Sequence, residues 1–225
     1  MRLGISINST KDDTITGEKA VAGMKAAERI GFDGLWFFDT IGRGYHTPDP
    51  LIQVSVAAAV TEKIELGTCI LQVPLRNPVE LAHRLLTAQL MTGGRLTLGV
   101  GAGSTKADFD AIGGEYEGRF KALRTALPLM QRLWRGETVE GTHLTPPPAA
   151  KGGPPILIGS WAGSIWIPRA AKEFDGWIAS AMFTGEPTLR AGVERFRGLG
   201  GKRAIITNIK SDLSAPTQPL SDEGP

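Results

Sequence analysis

Few side chains in this sequence can do chemistry, and most of them stand just after apolar runs. Asp39 follows the uninterrupted apolar stretch 34–38, which includes Leu35, Trp36, Phe37 and Phe38. A run of that kind reads as a strand buried on both faces, so the carboxylate emerges at its end, desolvated on one side and suited to proton exchange. The plainer reading is an aspartate that caps a turn. His46, further along the same polar stretch, adds an imidazole that titrates near neutrality and suits acid–base work; otherwise it is a surface histidine. Cys69 has no Lys, Arg or His beside it and by itself reads as a small buried hydrophobe. His83 and His143 lack the spaced partners of a metal site, and no metal is expected. Two small-residue segments complete the set. Gly101, Ala102 and Gly103 follow the apolar run 96–100, and their bare backbone can lie against a flat or phosphorylated ligand. Gly159, Ser160 and Gly163 follow another apolar run and precede a helical pattern, the chemistry of an anion site.

The elements that must position these residues alternate along the chain. Strands are predicted at 3–7, 34–38, 64–73, 96–100, 156–158, 177–181 and 204–209. Helices fall at 18–30, 50–62, from Pro78 onward, 119–135, 165–173 and 187–199. The first helix places Val21, Met24, Ala27 and Ile30 on one face. Asn77 caps the third, with Pro78 at its first position and Leu81, Leu85 and Leu86 turned inward. Pro128 should kink or split the helix at 119–135. Residues 105–118 read as a polar, glycine-dotted loop, 136–143 as a short hairpin and 145–155 as a proline-rich connector. Parallel strands need long crossovers, so the alternation predicts an α/β fold of the (β/α)8 TIM-barrel type. It counts about seven βα units and is incomplete at the C-terminus. A doubly wound sheet is the runner-up, but the glycine fingerprint after the first strand is missing. Residues 1–210 form the barrel domain and 211–225 a tail. Leu35, Phe37, Ile70, Leu98 and Ile158 are the expected core.

Composition excludes several classes. Among 225 residues, 41% are hydrophobic and 21% charged, values of an ordinary globular chain. The net charge of +2 leaves no basic footprint for nucleic acid. The single cysteine fits a reducing compartment. No signal-like segment or long apolar span is visible, so a cytoplasmic protein without membrane contact is expected.

Taken together, 27–39, the run 65–82, the block 92–103, Arg119, and 154–160 with 170–178 resemble the luciferase-like flavin- or F420-dependent oxidoreductases. The resemblance implies a barrel that holds F420, or alternatively FMN, at its carboxyl-terminal mouth and transfers a hydride to or from a small organic substrate. It places Asp39 near the reactive centre, with Thr40 standing where many relatives carry histidine, and it offers His46 as the replacement. It implies ring contacts at Cys69, Ile70, Gly101, Ala102 and Gly103, with a non-proline cis bond at Cys69–Ile70. The cofactor phosphate would lie near Gly159, Ser160 and Gly163. Trp161 and Trp166 either line a substrate pocket or pack between helices. A cofactor-binding barrel without turnover is the rival reading, because the eighth unit is not seen. An aldolase-like barrel would have only Lys210 as a strand-end Schiff-base lysine. An open sheet edge needs cover, so a homodimer is expected.

Overall fold

In a computed structural model, which describes residues 2–7 and 16–209, the chain runs as alternating strands and helices. They are β1 (Gly4–Ile5), α1 (Gly17–Ile30), β2 (Gly34–Phe37), α2 (Pro50–Val60), β3 (Glu65–Gln72), α3 (Pro78–Met91) and β4 (Leu96–Gly101). There follow α4 (Lys106–Asp110), α5 (Arg119–Trp134), a hairpin of β5 (Thr138–Val139) and β6 (Thr142–His143), β7 (Ile156–Gly159), α6 (Ile167–Glu173), β8 (Gly176–Ser180), α7 (Glu186–Gly198) and β9 (Ala204–Thr207). The main sheet has the order β1-β2-β3-β4-β7-β8-β9, and every pair in it is parallel. The seven strands predicted from the sequence are these, and the doubly wound alternative, whose strand order reverses, is excluded. Residues 211–225 and Lys210 lie outside the described residues.

Local chemistry explains the boundaries. The Asn77 side chain accepts from the N–H groups of Val79 and Glu80, and Asp49 does the same for Leu51 and Ile52, each ahead of a proline at the first helical position. Gly31 ends α1 in the left-handed conformation, open to glycine at no steric cost. Three sequence expectations are corrected. Pro128 does not break α5, because it sits on the exposed face, while Leu123, Leu127, Met130 and Trp134 bury the opposite face. Ile30 is exposed at the last turn of α1, beyond the reach of the sheet. The polar loop after β4 contains the short helix α4, whose Asp108 and Phe109 are fully buried.

Two cores result. Leu35, Phe37, Leu98 and Ile158 are buried between sheet and helices. Inside the curl, Trp36, Cys69, Leu157 and Ile178 pack together, with Phe38, Ile70 and Ile205 partly buried above them. The Trp36 indole fills the space beside Gly4, Gly34 and Gly67, where any Cβ would overlap it. Below it, Glu65 bonds Thr97 and pairs with Arg203 at 2.7 Å and with Arg2 at 3.0 Å. Arg203 precedes β9 and Glu65 opens β3, so this pair spans the interior and shows how far the sheet curls. Among the described residues no helix is long and apolar enough to cross a membrane.

Candidate active site at the carboxyl ends of the strands

The residues at the ends of β2, β3 and β4 form one polar network. Asp39 is buried, and both carboxylate oxygens are engaged: Gln72 N–H donates to Oδ2 at 2.7 Å, and Arg76 donates through Nη1 at 2.6 Å and Nη2 at 2.9 Å. Arg76 also lies 3.6 Å from Asp49 at the start of α2. Burial works against the Arg76 charge, but the hydrogen bond and field of Asp39, with Asp49 beyond, outweigh it and hold the guanidinium pKa above its ordinary value. The Gln72 amide donates to the Asp39 carbonyl at 2.8 Å and to Asp108 at 3.0 Å. Asp108 in turn accepts from the Ile41 N–H and from the Arg43 fork. The loop after β2 is thereby tied to α4 across the end of β3. Asp39 does not present a free carboxyl to the mouth; the geometry makes it an anchor. His46 lies exposed on the same loop, which is closed by a Thr40 to Thr47 hydroxyl bond of 2.5 Å.

The Cys69–Ile70 peptide is cis, and the pairing of β3 with β4 shifts register there. Cys69 is buried, and burial pushes its thiol up to about 12, so it stays protonated and packs as a hydrophobe. Ile70 is only half-buried, against the expectation of a core residue, because it lies at the top of the interior. Its side chain occupies the space beside two glycines. A Cβ at Gly101 would come within 2.9 Å of Ile70 Cδ1, and one at Gly159 would overlap Ile70 Cγ2. Those glycines therefore admit Ile70 itself, and a ligand would rest on Ile70 rather than on their backbone. Ala102 is buried in the outer core and does not line the mouth. Gly103 has φ +84° and sits against the Gln72 side chain and Phe109. Arg119 donates to the Gly103 carbonyl at 3.1 Å and to the Tyr116 carbonyl at 2.8 Å, with its guanidinium 3.7 Å from the Tyr116 ring centroid. The glycine turn is thus fixed from outside.

On the far side of the mouth, the Ser160 N–H is spent on the Ile178 carbonyl, and its Oγ accepts from Trp177 Nε1 at 3.0 Å. Helix α6 starts only at Ile167, behind the buried Trp166. The segment 159–164 is therefore a loop and not a helix end, and its Ser160 N–H is not open to an anion. Gly163 is exposed and has open space where a Cβ would stand. Of the two tryptophans in this region, Trp166 packs in the core and Trp161 faces solvent. Sequence reading missed Gln72, Arg76 and Asp108. Gln72 and Arg76 were legible as polar residues closing an apolar strand; Asp108 gave no signal, since its partners lie far away in sequence.

Comparison with known proteins places this geometry. The model of the luciferase-like monooxygenases matches residues 1–205. An F420-dependent glucose-6-phosphate dehydrogenase of Beutenbergia cavernae is 36% identical over 126 residues, covering 52% of this chain and 38% of the relative. The crystal structure of the monooxygenase RslO1 from Streptomyces bottropensis superposes with a TM-score of 0.81 at 21% identity, over 92% of this chain and 70% of that one. The FMN complex of the oxygenating constituent of 3,6-diketocamphane monooxygenase from Pseudomonas putida gives a TM-score of 0.76 at 18% identity, over 89% and 62%. The chain spans about half or less of the length of the curated relatives it matches.

Proposed function

The chain belongs to the luciferase-like monooxygenase family, and from that premise we propose that it binds F420, or alternatively FMN, across the mouth of its sheet and moves a hydride between that cofactor and a small organic molecule. The supporting observation is the platform formed by Ile70 over Gly101 and Gly159, with Phe38 beside it. It is apolar and half-buried, which fits a flat ring lying on it. F420 is put first because the relative from Beutenbergia cavernae is named for it.

When bound, the deazaflavin or flavin supplies the redox chemistry; orientation and water exclusion fall to the protein. Ile70 and Phe38 support the ring from below. Gly103 sets the neighbouring wall, held by Arg119. Asp39 and Arg76 keep the ends of β2 and β3 in register, and so keep the platform at a fixed height. His46 is the imidazole proposed to carry a proton at the mouth. The outward face of α2, with Ile52 and Val56 exposed and no charged residue in the helix, supports the homodimer expected from the sequence. Cytoplasmic residence belongs to the same proposal.

The test is a spectral titration of the purified protein with F420 and with FMN. Saturable binding of one chromophore, bleached on reduction, is the expected result, with affinity reduced at least tenfold in Ile70→Asp. Binding of neither would overturn the proposal.

A further inference from the structure

Helix α7 presents two apolar faces. Gly192 and Phe196 are buried on one of them, with the Phe196 ring 5.9 Å from that of Trp177. Leu189 and Val193 turn to the side, along the outer surface of β9, and are only half-buried. With Ile206 and Ile209 they line an open groove of about 620 Å³, and Ile209 is 70% exposed. Among the described residues, β9 has a strand on one side only and α7 is the last helix. In the helical ring of a barrel each helix packs between two neighbours, so this side of α7 is where a further helix belongs. An apolar groove beside an open sheet edge is a surface that proteins cover.

The charges along the groove identify what covers it. Glu186, Arg190, Glu194 and Arg197 all line it, so one face of α7 alternates in sign along its length. All four are exposed. Glu186 and Arg190 pair within the helix at 2.7 Å, an exposed i,i+4 contact that is readily exchanged for another. Glu194 and Arg197 form no ion pair among the described residues. We propose that the groove is filled by α7 of a second copy of this chain, the two helices running antiparallel about a two-fold axis. Such an interface must be self-complementary. Side by side in one direction, the two helices would set like charges opposite each other. Reversed, about an axis between Arg190 and Val193, Glu186 of each copy meets Arg197 of the other, and Arg190 meets Glu194. Leu189 and Val193 of the two copies then close on each other at the centre, over Ile206. Charge sets the direction and register of the contact, and apolar burial supplies the attraction. Helix α7 follows β8, at the other end of the sheet from α2, and the inference rests on neither the cofactor reading nor the α2 face.

The test is the mass in solution, by light scattering at micromolar concentration, of full chains that carry Ile52→Glu to remove any contact through α2. That chain should be a dimer. Adding Glu186→Arg and Glu194→Arg makes the α7 face wholly basic; adding Arg190→Glu and Arg197→Glu instead makes it wholly acidic. Each of these should be monomeric, its self-association weakened at least tenfold, and an equimolar mixture of the two should recover a one-to-one heterodimer. The four substituted side chains are exposed, and circular dichroism checks that each variant is folded. Leu189→Asn, which leaves the charges alone, should also give a monomer and serves if a charge variant does not fold. Dimers that survive in both charge variants would place the contact elsewhere and overturn the inference. Monomeric variants whose mixture fails to pair would overturn it too. So would a monomeric Ile52→Glu chain. If deleting residues 210–225 turned that monomer into a dimer, the groove would belong to that segment instead.

Discussion

Replacing Asp39 by Asn keeps the shape of the side chain and leaves one oxygen able to accept from the Gln72 N–H. It removes the charge that Arg76 meets through two bonds of 2.6 and 2.9 Å. The Asp39 and Arg76 side chains are 5% and 17% exposed, so the arginine is left as a largely buried cation. Breaking a buried pair from one side costs about 3–5 kcal/mol. Asp49 at 3.6 Å and the partial exposure of Arg76 reduce that, and about 2–3 kcal/mol is expected. For a chain of this size, each kcal/mol lowers Tm by about 2–4 °C, so the fall should be roughly 4–12 °C. Arg76→Met should be similarly harmful. The double variant should recover about 2 kcal/mol against the sum of the two singles, because neither charge is then stranded. Urea unfolding of the four proteins, followed by circular dichroism, measures all three quantities. A purely acid–base role would leave Asp39→Asn as stable as the wild type and slow only turnover. Stability within about 0.5 kcal/mol of wild type, or a coupling energy near zero, would refute the anchor.

Other outcomes follow from the same packing. Leu98→Ala, at a fully buried position, should cost about 2–5 kcal/mol in urea unfolding; an unchanged midpoint would contradict the core assignment. Gly159→Ala should cost about 1–3 kcal/mol by collision with Ile70 Cγ2 and closer approach to the Val100 carbonyl, and Ile70→Ala in the same chain should relieve the Ile70 part of it, so fully additive losses would show that the glycine serves something else. Burial would raise the Asp108 carboxyl, but the Arg43 bonds, the Ile41 N–H and Gln72 outweigh it and hold its pKa below the usual aspartate value. A depressed folded pKa gives stability that is present above the unfolded value of about 3.9 and lost as pH falls through the folded one. Asp108→Asn should therefore be much less stable than wild type near neutrality, with the gap narrowing in acid. A gap independent of pH would show that the ion pair contributes nothing.

The sequence by itself determined the order of the elements, the cap at Asn77, the parallel seven-stranded sheet and the positions where its strands end. These are local properties: apolar period, proline and glycine placement, and crossover length are all written within a few residues of where they act. It also pointed to the right loops for the site, because strand ends in such a fold face one mouth. The tertiary structure alone decided what those loop residues do. Asp39 reads as a free acid until Arg76 closes on it from the end of β3, and Gly101 and Gly159 read as ligand contacts until Ile70 is seen filling the space beside both. Trp161 and Trp166 stand in one short segment, yet Trp166 is buried and Trp161 is exposed beside Phe183. In each case the partner is distant along the chain, and no local pattern encodes which side chain will arrive there.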